Sequence, residues 1–136
     1  MAKRITAVGA YRPRIEQAPR IDTAELAELL AMRTGMHESE LRYALTELRD
    51  VVAHALAHGH SVRIEGLGVF APNLRVDGSI TVNVRVDRYQ VRKLNHPGAF
   101  RGTVRNREHI GKAPAALVAL WNTAHPDDPA PVDPQT

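Results

Sequence analysis

The chain has 136 residues, 43% of them hydrophobic, and no cysteine; it is long enough for one domain with tails, too short for a dinucleotide-binding fold plus a substrate domain, and unable to form disulfides or thiolate zinc sites. The net charge of +3 is unevenly spread: residues 1–20 carry five basic and one acidic side chain, 21–60 three and seven, 61–112 ten and four, and 113–136 none and three. A basic stretch of this kind is either a solvated face or the footprint of a polyanion.

At the N-terminal end, "KRITAVGAYR" carries the β-branched Ile5, Thr6 and Val8 and predicts a first strand. Its apolar run breaks at Arg12-Pro13, too early for a secretory signal or a membrane span, so a soluble, intracellular protein is expected. Pro13 and Pro19 bracket a linker. Asp22 and Glu25 open a helix in "DTAELAELLAMRTG" with Leu26, Leu29 and Leu30 on one stripe and Gly35 as its stop. A longer helix is predicted from about residue 38 to 58, where Leu41, Leu45, Leu48, Val52 and Leu56 recur at intervals of three and four before Gly59. The short link between the two helices makes them an antiparallel hairpin with apolar surface to spare.

Three strands follow. "SVRIE" alternates around Val62 and Ile64, "VFAPNLRV" places Phe70, Leu74 and Val76 on one side, and "SITVNVRV" aligns Ile80, Val82, Val84 and Val86 against Thr81, Asn83 and Arg85. Asp77-Gly78 predicts a two-residue hairpin loop between the last two. The resulting antiparallel sheet has an apolar face for the helices and a polar face bearing Arg63, Arg75 and Arg85. Asp87 then caps a short helix that sets Arg88 and Arg92 one turn apart beside Lys93, and "FRGTVRNRE" adds Arg101, Arg105 and Arg107. A last helix starts at Pro114 with Leu117, Val118, Leu120 and Trp121 as its stripe. The proline-rich, acidic residues 125–136 are expected to be disordered.

Gly66 and Gly68 admit two readings. Gly66-x-Gly68-x-x-Ala71 matches the loose dinucleotide fingerprint, with Asp87 at about the right distance, but the fingerprint needs a helix to begin where this sequence alternates as a strand. The glycines are therefore expected to shape a corner between strands, with Phe70 beyond it.

This order of elements, and above all the spacing from Gly59 to the Gly66-x-Gly68-x-Phe70 corner, resembles the HU and integration host factor family of bacterial DNA-binding proteins. The resemblance implies an α+β, HU-like fold: a helical hairpin packed on a three-stranded antiparallel sheet, here with an extra N-terminal strand and a C-terminal helix, in an intertwined homodimer. It implies a partner, double-stranded DNA, and a nucleoid-associated role in the cytoplasm. Family members carry a long basic arm whose tip proline wedges between base pairs. The corresponding stretch here is "RVDGSI", so strong bending is not expected. The organisation implied is a strand and linker over 1–21, an HU-like domain over 22–95, an extension with a helix over 96–124 and a tail over 125–136.

On this reading the candidate DNA-binding residues are Arg63, Arg75, Arg85, Arg88, Arg92, Lys93, Arg101, Arg105 and Arg107, giving salt-sensitive affinity with little sequence preference. The bland reading, ordinary solvated arginines, stays open, as does an HU-like scaffold that serves as a protein-interaction module without DNA. His54, His58 and His60 in "HALAHGH" suggest a metal site but are better read as solvated groups near a helix C-terminus, so no metal and no cofactor is assigned. With no cysteine nucleophile and no serine in a nucleophile-elbow context, neither catalysis nor a small-molecule substrate is expected.

Overall fold

A computed structural model describes residues 1–133. The chain divides into two compact units, one of Pro19–Phe100 and one in which residues 1–18 join the chain from Arg101 onward.

In the larger unit, α2 (Thr23–Thr34) begins as the sequence predicts, with the Asp22 carboxylate accepting from the Glu25 N–H at 2.9 Å. The helix α3 (Glu38–Ala57) packs back against it. The strands β2 (Val62–Ile64), β3 (Gly68–Leu74) and β4 (Ile80–Val86) form an antiparallel sheet with β3 in the centre. Parity is as expected: Phe70 pairs with Val62 on one side and Val84 on the other, whereas Val69 pairs with Arg63 and Arg85. The short helix α4 (Arg88–Asn95) is capped by the Asp87 carboxylate, which accepts from the Tyr89 N–H at 2.8 Å.

The two glycines of the corner do different work. Leu67 N–H donates to Ile64 O at 3.0 Å, closing a turn with Gly66 in its third position at φ +76°, a conformation that a side chain disfavours. Gly68 is needed for space, since a Cβ there would sit 2.5 Å from the Arg85 carbonyl oxygen. The same corner anchors the start of α4: Asp87 N–H donates to Leu67 O and Gln90 Nε2 to Gly66 O, both at 2.8 Å.

The β3–β4 loop departs from the two-residue expectation. Leu74 and Ile80 form the last ladder pair, Arg75 N–H donates to Ser79 O at 2.9 Å, and Gly78 N–H donates to Arg75 O at 3.0 Å. This is a three-residue loop, Val76-Asp77-Gly78, with positive φ at Gly78 alone. The Asp77 carboxylate accepts from both Oγ and N–H of Ser79, which holds it in the turn instead of the left-handed conformation a two-residue loop would demand. Val76 therefore lies in the loop, fully exposed, and not on the apolar face of a strand.

The smaller unit overturns two expectations. Residues 4–11 form a helix, α1 (Arg4–Tyr11), not a strand. β-branching favoured the strand, but Ala7 is fully buried and Arg4, Val8 and Tyr11 are partly buried, a helical face at intervals of three and four. Strand in this region is confined to β1 (Arg14–Ile15), which pairs with β5 (Val104–Arg105). The helix α5 (Pro114–Ala124) follows a 3-10 turn at Arg107–His109 and packs on α1, with Val118, Ala7 and Ala130 forming the buried core.

The presence of Ala130 in that core is the second correction: the tail expected to be disordered is packed over its described part. Asn122 clamps Ala130 from both sides, Nδ2 donating to its carbonyl at 3.1 Å and Oδ1 accepting its N–H at 2.7 Å. Trp121 Nε1 donates to Asp128 O at 2.8 Å, and Ala2 N–H donates to Pro129 O at 3.1 Å. Composition signals disorder when a segment cannot bury enough to offset its ordering entropy, but side-chain clamps and prolines lower that cost here. Residues 134–136 lie outside the described part. Among the described residues, no helix is long and apolar enough to cross a membrane.

Candidate nucleic-acid interface

The polar face of the sheet is built around one rung. Arg63, Val69 and Arg85 are ladder partners across all three strands, so both guanidinium stems rise from the same face with a small aliphatic side chain between them. Ala71 opposite Asn83 and Asn73 opposite Thr81 continue that face toward the loop. Val69, Ala71, Asn83, Val84 and Arg85 line a shallow cleft of about 350 Å³. Arg63, Asn73, Asn83 and Arg85 are exposed. Arg75 stands at the mouth of the loop, six residues along β3 from Val69 and hence roughly 20 Å from the Arg63–Arg85 rung.

A second basic group lies on α4. Arg88 and Arg92 are four apart and share one side of the helix; Tyr89 and Lys93, also four apart, share another, with Lys93 Nζ 5.5 Å from the centre of the Tyr89 ring. Tyr89, Arg92, Lys93, His96 and Ala99 line an open cleft of about 490 Å³. Among the described residues, none of Arg63, Arg75, Arg85, Arg88, Arg92 and Lys93 is in an ion pair.

The remaining three candidates, Arg101, Arg105 and Arg107, lie in the smaller unit. Arg105 Nη2 donates to Glu16 Oε1 at 2.8 Å; this bond and the charge behind it hold the Glu16 carboxyl below its ordinary range and raise the Arg105 guanidinium. In that unit, Arg12 and Arg14 lie beside Arg105 and Arg107, a proximity that sequence reading missed because those residues sit in what reads as a linker. The contact is organised by Asn106, in the left-handed conformation at φ 54°, whose Nδ2 donates to both Ala10 O and Arg12 O at 3.1 Å. His109 is buried, and its Nδ1–H donates to Tyr11 O at 2.6 Å. The C-terminal carbonyls of α1, which a helix leaves without internal partners, thus find donors nearly a hundred residues away.

The apolar face of the sheet is covered only in part. Leu45, Leu48 and Val52 of α3 line an open, mainly apolar groove of about 330 Å³ together with Arg49, Ile64 and Phe70. Beyond it Val82, Val84 and Val86 remain 48%, 58% and 58% exposed, and Leu26, Leu29 and Leu30 of α2 are exposed too.

Residues 4–109 are matched by a family profile, HU-HIG, described as an HU domain fused to wHTH, Ig, or glycine-rich motif. The chain belongs to the HU-HIG family. The match begins at α1 and ends at the 3-10 turn, so the β1–β5 pair lies within the HU-HIG region and α5 outside it. Among solved structures, an HU mutant from Thermotoga maritima is similar at 20% sequence identity and a TM-score of 0.46, covering 54% of this chain and 99% of that one. No curated protein matches. An HU-like domain suggests a DNA-binding type.

His58 Nδ1 lies 2.9 Å from His54 O, the two rings are 4.5 Å apart, and no three metal-ligating groups converge among the described residues.

Proposed function

We propose that this chain is a homodimeric, nucleoid-associated DNA-binding protein that covers duplex DNA with the arginine-bearing face of its sheet, largely without regard to sequence. The observation that carries this reading is the Arg63–Val69–Arg85 rung, where two exposed guanidiniums without carboxylate partners among the described residues flank a small-residue floor. Arg75, Arg88, Arg92 and Lys93 extend the cationic surface. Each phosphate they neutralise releases counterions, so affinity falls with salt and sequence counts for little. The location is the cytoplasm, with the nucleoid, and no cofactor or small-molecule substrate enters the reading.

A second copy of the chain is the partner that best fits the bare aliphatic face of β4 and the exposed leucines of α2, since monomers rarely leave contiguous apolar surface of that kind open. Strong bending is not part of the proposal, because the β3–β4 hairpin ends in three residues without a proline. Ring closure of short duplexes is expected to change little; kinking that disappears in Val76→Ser would overturn this point.

Salt-titrated binding to random duplex tests the main claim. The double variant Arg63→Ala/Arg85→Ala removes two phosphate contacts and is expected to reduce the slope of log affinity against log salt by about 2. One observation favours a different reading, an interaction module that no longer binds DNA: ten basic and ten acidic side chains make the Pro19–Phe100 unit neutral overall. Absence of duplex binding at low salt would establish that reading in place of the first.

A further inference from the structure

The net charge of the chain resides entirely outside the HU-like sheet and helices. Residues 1–18 and those from 101 onward carry eight basic and five acidic side chains, which accounts for the whole +3. Three of the acids, Asp127, Asp128 and Asp133, lie in the C-terminal segment after α5. At the opposite end of the sequence of this unit, the β1–β5 ladder sets Arg14 directly opposite Arg105, and Asn106 ties the chain between Arg105 and Arg107 to the carbonyl of Arg12. Four arginines are thereby gathered on one clasp, all exposed, with one carboxylate, Glu16, paired among them. Arg12, Arg14 and Arg107 have no ion-pair partner among the described residues.

The clasp adjoins a groove of about 420 Å³ lined by Ile5, Thr6, Val8, Gly9, Arg12 and Arg14. Gly9 has nothing within 4 Å of the place a Cβ would occupy, so packing does not require a glycine there, while its absence of side chain keeps the groove open. Nearby, Tyr11 is partly buried with its ring 5.8 Å from that of His109, which leaves no exposed aromatic platform for unstacked bases. Arg12 and Arg14, two residues apart in extended chain and so about 7 Å from one another along the backbone, with Arg105 paired opposite Arg14, suit a backbone of repeating phosphates better than a single small anion.

We infer that the arginine clasp of the smaller unit is a further duplex-contacting surface, in addition to the sheet of the larger unit, in which Arg12, Arg14 and Arg107 take backbone phosphates while Glu16 withholds Arg105. This rests on the reading that the chain binds duplex DNA, and it makes each chain bivalent for DNA. Linked sites of this kind raise overall affinity without new contacts, because the second engagement is intramolecular.

The test uses the full chain and random duplex, titrated with salt. Arg12→Ala/Arg14→Ala/Arg107→Ala is expected to reduce the salt slope by about 2.7, at about 0.9 per lost phosphate contact, and to add to the effect of Arg63→Ala/Arg85→Ala. Glu16→Gln, which frees Arg105, is expected to act in the opposite sense, steepening the slope by about 0.9 and tightening binding, whereas Glu28→Gln on α2 makes the same change of charge and leaves the slope alone. A merely structural clasp cannot produce that gain. An unchanged slope in the triple variant, with the sheet variant flattened, overturns the clasp and leaves the sheet reading intact; the reverse pattern upholds the clasp and removes the sheet. Loss of poly-glutamate binding in the triple variant with duplex binding unaffected identifies an acidic peptide as the occupant and also overturns the inference, as does absence of duplex binding by the unaltered chain.

Discussion

The two units differ in an unexpected direction: the larger one has the weaker core. In Pro19–Phe100, Ala27 is the sole hydrophobic side chain buried among the described residues, although the unit contributes two long helices and a three-stranded sheet. The smaller unit buries Ala7, Leu117, Val118 and Ala130, shelters His109, and carries the entire excess of positive charge. The first leaves many apolar side chains exposed; the second is solvated and cationic around a closed interior. Size is therefore a poor guide to a closed core here; in the homodimer proposed above, the larger unit would complete its core with a second copy.

The sharpest way to break this comparison is to disrupt one unit and follow the other. Val118→Asp places an unpaired charge in the α1–α5 core and is expected to cost about 4 kcal/mol or more, abolishing the melting transition of the smaller unit while the helical signal of α2 and α3 persists. A single cooperative loss of both would show that the units fold as one. In the larger unit, Gly68→Ala forces a methyl against the Arg85 carbonyl and is expected to cost about 1–3 kcal/mol by splaying β3 from β4, measurable by denaturant titration.

Dilution sharpens the contrast without any mutation. If the apolar face of β4 is covered by a second copy, each tenfold dilution lowers the stability of the larger unit by about 1.4 kcal/mol through mass action, and the transition of the smaller unit does not move. Smaller in effect, Gly9→Ala is expected to stabilise α1 by about 0.5–1 kcal/mol, since the position is helical and open, and a calorimetric scan should show the gain in the smaller unit alone.

The smallest effect expected is electrostatic. Glu16 is bonded to Arg105 and its pKa is lowered in the folded state, so the contribution of the pair is present above the unfolded glutamate pKa and is lost as pH falls through the folded value. Both side chains are exposed, so the β1–β5 clasp should loosen only slightly on the acid side of the ordinary glutamate range, seen as faster amide exchange at Glu16, whose N–H donates to Thr103 O at 2.8 Å.

Local pattern was enough for most of what local physics controls, the third residue of the β3–β4 loop being the exception. The Asp22 cap, the leucine stripes of α2 and α3, strand parity from Arg63 to Arg85, the Asp87 cap and the start of α5 at Pro114 all follow from period, capping chemistry or turn residues within a few positions of one another. The two-glycine corner was legible as a corner, although the separate reasons for Gly66 and Gly68 needed coordinates, one being a backbone angle and the other a neighbour seventeen residues on. Of the candidate residues, the sheet arginines and those of α4 could be placed on their elements from parity and capping, but nothing in the sequence assigned Arg101, Arg105 and Arg107 to a second unit.

Tertiary structure decided the rest, and for one physical reason. Residues 4–11 are helical because α5 covers Ala7 and because Asn106 and His109 supply donors to the carbonyls that end the helix; propensity alone favoured a strand, and contacts across about a hundred residues outweighed it. The same distance hid the clasp, which exists only where β1 meets β5, and the packing of Ala130, which depends on the two-sided grip of Asn122. Sequence determines which segments can bury a face or turn a corner. Which faces meet, and which charges stand together once they do, is settled by burial and hydrogen bonding between parts of the chain that are remote from one another.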